Sequence, residues 1–341
     1  MNSIPTPLTL FWLILFGHVI GSPTPEQASA EDVKRLFDIP FSEVSGSEGE
    51  CDVYLPPDTM PALAAPLPAE ATATPDKSSA ESKSSAETGS PSGTNQSDDS
   101  TAGEDSKRPV VMVVHGGGWV TGDKWTMGNH CQRLAQQGYV VVNVNYRLAP
   151  THKFPAQVDD VRTAMLWVKE HADEYRIDLN RIGIFGYSAG GHLSTLIAVL
   201  ADEPIQTRAA ASSWKVDDPR WKELPRIKTV CVGGPPCDFR VLPPQSVSLS
   251  FFLGGTRAEL PEVYELASPT AQVSAGDPPI QIYHGATDFL VPIESSRAFK
   301  RAMDANGAVC KLQELPDQGH IVTFNDERTK ETMIRWFAKT L

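Results

Sequence analysis

The chain has 341 residues, 40% of them apolar, enough for one sizeable core or two small ones. A formal net charge of -12 and a pI near 5.1 argue against a nucleic-acid partner, whose phosphates such a surface would repel. No stretch reaches the ~18 apolar residues that a membrane-spanning helix needs. The first feature along the chain is the hydrophobic segment Leu8 to Ile20, interrupted by Gly17 and His18, which is short for a span and suits a signal-peptide core. Ala28-Ser29-Ala30 has the form of a cleavage site and Gly21-Ser22 is an earlier candidate, although no Lys or Arg precedes the core. Residues 1–30 are therefore expected to be a signal peptide, and the mature chain an exported protein, periplasmic or extracellular, without a membrane span.

Asp38 to Val44 and Cys51 to Leu55 read as strands joined around Ser45-Gly46-Ser47-Glu48-Gly49. From Pro57 to Arg108 the composition shifts to Ala, Pro, Ser, Thr, Asp and Glu. Such a stretch cannot bury enough surface to offset its ordering entropy, so 57–108 reads as a disordered insertion in one domain, 31–341. Asn95-Gln96-Ser97 has glycosylation spacing, incidental in such a linker. Pro109 to Val114 is a continuous apolar run typical of a central parallel strand, ending in His115-Gly116-Gly117-Gly118-Trp119. Then follow a helix over Asn129 to Gln137, a strand over Tyr139 to Val144, a helix over Ala156 to Glu174, and a strand over Arg181 to Phe185. A helix over Gly191 to Leu200 comes next, then a polar surface segment from Glu203 to Arg226 and a strand over Ile227 to Val232. Pro235 to Asp277 is a long excursion placed where a cap over an active site can sit. Strands over Pro279 to His284 and Val309 to Leu315 flank a helix over Ser295 to Asn306, and a helix over Asp326 to Thr340 closes the chain. Alternating strands and helices at this spacing predict an α/β domain with a parallel sheet.

The stretch Gly186-Tyr187-Ser188-Ala189-Gly190 lies between a predicted strand and a predicted helix, the context of a G-x-S-x-G nucleophile elbow. The turn places Ser188 at a helix N-terminus, where the dipole favours developing negative charge. A serine hydroxyl needs a base, and of eight histidines His320 stands out, in a loop just past the last strand. His115 reads as a loop-holding residue, and His192 and His284 as structural ones. The base needs an acid. Asp288 follows the 279–284 strand, at the sheet edge where active sites of open α/β sheets lie; Asp317 is the runner-up. Ala189, Gly117 and Gly118 are the candidate N–H donors to an oxyanion. A phosphate cradle is disfavoured, since no lysine and Ser/Thr follow the glycines. No cysteine pair has zinc-ligand spacing, and no metal or cofactor is implied. Of the five cysteines, Cys231 and Cys237 flank a turn that could join them in an oxidising compartment.

Together, His115-Gly116-Gly117-Gly118-Trp119, Tyr146-Arg147-Leu148-Ala149-Pro150, Gly186 to Gly191, His284-Gly285 leading to Asp288, and Gly319-His320 resemble an α/β-hydrolase carboxylesterase. The chain is similar to hormone-sensitive-lipase-like esterases and to the bacterial acetylxylan/feruloyl esterase-like group. That resemblance implies an eight-stranded, mostly parallel sheet with an antiparallel second strand and helices on both faces. It also implies a Ser188, Asp288, His320 triad with Gly117, Gly118 and Ala189 as oxyanion donors. Tyr187 stands where many lipase-like members have Asp, which tilts the resemblance toward the xylan-esterase-like group. The expected function is serine-dependent hydrolysis of short-chain acyl esters, on a small-molecule or polysaccharide substrate such as xylan. A lipase-like esterase, a kynurenine-formamidase-like amidase, a prolyl-oligopeptidase-like peptidase and a non-enzymatic binding protein are the alternatives.

Overall fold

The computed structural model describes residues 33–58 and 107–341. The expected signal peptide, and the insertion between its ends, lie outside the described residues. The chain builds one sheet from β1 (Lys34–Pro40), β2 (Glu50–Leu55), β3 (Arg108–Val114), β4 (Val140–Val144), β5 (Ile177–Tyr187), β6 (Thr229–Gly233), β7 (Ile280–Gly285) and β8 (Cys310–Leu315). Their order in the sheet is β1-β2-β4-β3-β5-β6-β7-β8. β2 runs antiparallel to both its neighbours, and every other pairing is parallel. The helices are α1 (Gly128–Ala135), α2 (Ala156–Glu170), α3 (Ala189–Val199), α4 (Ile205–Ala210), α5 (Arg220–Glu223), α6 (Ser250–Leu253), α7 (Pro261–Leu266), α8 (Glu294–Ala305), α9 (His320–Asn325) and α10 (Glu327–Thr340).

The continuous apolar strands follow from burial on both faces. In β3, Val110, Met112 and Val114 pack into one core with Val161 of α2, Leu193 of α3 and Phe299 of α8. The alternate residues Val111 and Val113 pack into a second core with Leu134 of α1 and Phe337 of α10. A strand buried on both sides carries no period-2 signal, only a run of Val and Ile.

Most boundaries lie within two residues of the sequence reading, and four differences bear on the fold. The first strand is Lys34–Pro40 rather than Asp38 to Val44, because Pro40 ends it and Phe41 N–H turns back to Gly49 O at 2.9 Å. Arg108, assigned to the linker, opens β3, its N–H bonded to Arg176 O at 2.7 Å. β5 starts at Ile177, four residues before Arg181. Helix α2 stops at Glu170, after which Arg176 N–H closes a turn onto Asp173 O. Cys231 and Cys237 are free thiols. Cys231 belongs to the core that contains Tyr283 and Cys237 to the core that contains Phe252, so the sheet separates them.

At the far end of the 235–277 excursion, Asp277 is buried beside Asp202 and Glu203. Burial first, then those carboxylates, push its carboxyl up from 3.8 to about 7 against the Ser274 amide hydrogen bond of 3.0 Å. As pH rises between those values the unfolded chain gives up its proton before the folded one does, so stability falls across that window. Asp277→Asn keeps the acceptor and removes the charge. Its melting temperature is expected to exceed that of the unsubstituted protein at pH 8 and to converge with it near pH 4. Two melting curves that stay parallel across this range would count against the assignment.

Candidate active site

The strand order reverses between β3 and β5, because β4 lies on one side of β3 and β6 to β8 lie beyond β5. At such a switch point the loops leaving the carboxyl ends of adjacent strands part and leave a crevice. The glycine loop leaves β3 there and the serine turn leaves β5. The strands β6, β7 and β8 deliver Gly233-Gly234, Asp288 and His320 to the same edge.

Ser188 has φ 54° and ψ -119°, a conformation that L-residues rarely adopt and that lifts the side chain off the strand. The turn is held by Ser188 N–H on Gly233 O at 2.8 Å and His192 N–H on Ser188 O at 2.9 Å. Gly190 is required by contact: a Cβ there would lie 2.1 Å from Val114 O and 2.4 Å from His115 O. Helix α3 therefore packs directly on the backbone that begins the glycine loop. Ser188 is partly exposed and its Oγ has no hydrogen-bond partner among the described residues.

Asp288 and His320 meet, His320 Nδ1 lying 2.5 Å from Asp288 Oδ2. The other carboxylate oxygen, Oδ1, accepts the amides of Leu290 and Val291, each at 2.9 Å. Burial pushes the Asp288 carboxyl up, but donors from His284 and His320, the His320 charge and the Val291 amide outweigh it. The carboxylate is held well below its usual range. His320 opens α9, which the sequence reading left as loop, and its ring packs on Gly234, where an added Cβ would lie 3.0 Å from Cε1. The Tyr187 hydroxyl donates to His320 O, so the residue before the serine also holds the helix that carries the imidazole.

In the glycine loop, Gly117 (φ 120°) and Gly118 (φ 61°) are both partly exposed. A Cβ on Gly117 would lie 2.0 Å from Thr121 O, whose own amide returns to Gly117 O at 3.1 Å. The Tyr146 to Pro150 motif is the scaffold of this loop. The Tyr146 ring stacks on His115 with centroids 4.2 Å apart, its hydroxyl donates to His115 O at 3.0 Å, and Ala149 N–H donates to Trp119 O at 2.8 Å. Trp119 in turn stacks on Phe252 of α6, at 4.4 Å between centroids, and donates from Nε1 to His192 Nδ1 at 3.3 Å. His192 Nε2 donates to Ala267 O at 2.8 Å. Burial pushes both His115 and His192 down to about 4, which keeps these buried rings neutral. The 235–277 excursion is thereby fastened to the side of the glycine loop.

The structure thus brings Ser188, Asp288, His320 and the three candidate amides to one edge of the sheet. The runner-up acid Asp317 is exposed and faces Arg328 at 3.5 Å instead. His284 is the residue whose surroundings the sequence reading did not foresee: Nε2 lies 3.2 Å from Asp288 Oδ2. The spacing His284 to Asp288 was visible, but the carboxylate's turn back toward its own strand was not.

A parallel sheet with this crossover order, a serine turn at its switch point and an Asp–His pair on neighbouring strand ends define an α/β-hydrolase fold. The BD-FAE family model matches residues 100–303, more than half of the 341 residues. The chain belongs to the BD-FAE family of α/β-hydrolases. Among curated relatives, esterase LipC of Mycobacterium tuberculosis is 32% identical over 219 residues, covering 62% of this chain and 52% of LipC. Carboxylesterase NlhH of the same species is 44% identical over 95 residues, 27% of this chain and 30% of NlhH. The chain spans about half the length of LipC and of two further curated relatives it matches. Among solved structures, a truncated carbohydrate esterase from gut microbiota superposes with a TM-score of 0.68 at 22% identity, covering 92% of this chain and 99% of that one. Butyrate-bound esterase 2 of Thermogutta terrifontis gives 0.61 at 20% identity, covering 89% of this chain and 93% of that one. These two likenesses concern the fold.

Proposed function

We propose that this protein is a serine-dependent carboxylic ester hydrolase that removes short acyl groups, with acetylated polysaccharide such as xylan as its substrate class. The observation that carries the reading is the 2.5 Å Asp288–His320 pair at the sheet edge that also bears the strained Ser188. In this reading Ser188 Oγ attacks the ester carbonyl while His320 Nε2 takes its proton, and Asp288 holds the imidazole by Nδ1 and stabilises the imidazolium. The amides of Ala189, Gly117 and Gly118 receive the oxyanion. The alcohol leaves with the proton from His320, and water then attacks the acyl-enzyme by the same route. The partly exposed Ser188 and glycine loop leave room for the alcohol side of a large substrate. The names of the curated relatives support ester hydrolysis. The apolar leader supports export to where such polymers lie.

The test is hydrolysis of p-nitrophenyl acetate, butyrate and decanoate, followed by acetate release from acetylated xylan. Turnover fastest on acetate, with acetate released from xylan, is the expected result. A preference for decanoate would move the reading to a lipase-like esterase. No turnover on any ester, with turnover of N-formylkynurenine, would move it to a formamidase.

A further inference from the structure

His284 is the last-but-one residue of β7 and is fully buried. Its ring touches three separate pieces of the fold. Nε2 lies 2.8 Å from Val291 O, in the turn that follows Asp288. A carbonyl can only accept, so Nε2 carries a proton. The same N–H lies 3.2 Å from Asp288 Oδ2, the oxygen that also receives His320 Nδ1. On the far side of the ring, Nδ1 lies 2.7 Å from Ser296 Oγ, in the first turn of α8. Val291 closes the loop, since its own amide donates to Asp288 Oδ1 at 2.9 Å. The carboxylate is thus gripped by two amides on one oxygen and approached by two imidazoles on the other.

We propose that His284 is a positioning residue for Asp288, and that the Ser296 hydroxyl, by donating to Nδ1, fixes the tautomer that keeps its Nε2–H on the acid and on Val291 O. Without that donor the ring is free to carry its proton on Nδ1. Its Nε2 lone pair would then face a carboxylate and a carbonyl, and the 288–291 turn would lose its clamp. This rests on the reading of Asp288 and His320 as acid and base. The titratable and charged groups facing the pair are Asp288, His320, the Tyr187 phenol on His320 O, and Glu314 of β8, itself paired with Arg297 at 2.6 Å.

Two substitutions separate the two ends of the ring. In His284→Gln the amide nitrogen can occupy the place of Nε2 and keep a donor on Asp288. In His284→Asn the shorter amide can reach Ser296 but leaves Asp288 Oδ2 with His320 alone. One hydrogen bond to a charged group predicts a kcat about 10- to 100-fold lower for His284→Asn at nearly unchanged KM. The more electron-rich Oδ2 would hold the imidazolium to higher pH, so the acid limb of kcat/KM should move upward. His284→Gln should recover most of that loss. The low-field proton resonance of the N–H between His320 and Asp288 should shift in His284→Asn and stay near its native position in His284→Gln. Equal kcat, pH profile and resonance in a folded His284→Asn protein would overturn the proposal, as would a His284→Gln as impaired as His284→Asn. Should neither variant fold, Ser296→Ala, which keeps the histidine, should lower kcat several-fold and shift or broaden that resonance; no change in either would overturn it. The resonance is read without substrate. An absence of ester turnover in the unsubstituted protein would therefore refute the esterase reading while leaving this one decidable.

Discussion

Replacing Ser188 with alanine is expected to lower ester hydrolysis by roughly 10⁶-fold, the scale seen when a serine nucleophile is removed from a hydrolase of this type. The fold should not notice. Ser188 Oγ bonds to nothing among the described residues, and the turn is held by main-chain bonds to Gly233 O and from His192 N–H that alanine keeps. Alanine must still adopt φ 54°, but serine already bears that strain, so the change in melting temperature should be small. A fluorophosphonate probe should label the native protein and leave the variant unlabelled. Retained turnover in purified Ser188→Ala would exclude Ser188 as nucleophile.

Asp288→Asn should cost about 10⁴-fold in kcat with a smaller effect on KM, the scale known for losing the acid of a serine triad. The surroundings leave the amide no good orientation. With its nitrogen at the Oδ2 position it faces His320 Nδ1 and His284 Nε2, both donors in the present arrangement. With its nitrogen at the Oδ1 position it faces the amides of Leu290 and Val291. Either way donors meet donors. His320 relieves the first conflict by moving its proton to Nε2, the nitrogen that must be bare to accept from Ser188. Titration of kcat/KM from pH 5 to 9 should show the loss at every pH; an acid limb that merely moves to lower pH, with the native plateau kept, would mean that charge alone, not the tautomer, is at stake.

Much of this arrangement was legible in the chain because strands buried on both faces announce themselves as Val and Ile runs, and the motifs fall at their ends. Ser188 and Asp288 were nameable because each follows a run of that kind, and His320 because it lies in a glycine-containing stretch just past the last strand, although β8 itself is partly exposed and has neither Val nor Ile. What stayed hidden depends on contacts distant in sequence. The first strand, with mostly exposed residues and a register break between Leu36 and Ile39, carries little hydrophobic pattern. The bridge from Cys231 to Cys237 looked feasible from spacing, yet the sheet lies between them. Helix α9 is too short for a periodic signal and begins at the candidate histidine, His320, itself. The pairing of Tyr146 with His115 and the approach of His284 to Asp288 depend on side-chain directions at strand ends, which no linear pattern records.

The Tyr187 hydroxyl on His320 O ties the residue preceding Ser188 to the helix that carries the His320 imidazole, across a separation of 133 positions. The spacing of the two groups is thereby gauged by one phenol and by the Gly233-Gly234 backbone between them, and hardly by the length of chain that intervenes. The exposed turn Ala305-Asn306-Gly307, which enters β8 at the end of the sheet opposite Ser188, is then a place where residues can be added without mistuning that spacing. For an engineer, it is the natural graft site for a sugar-binding module or a recognition loop. Tyr187 is the residue to leave alone while doing so.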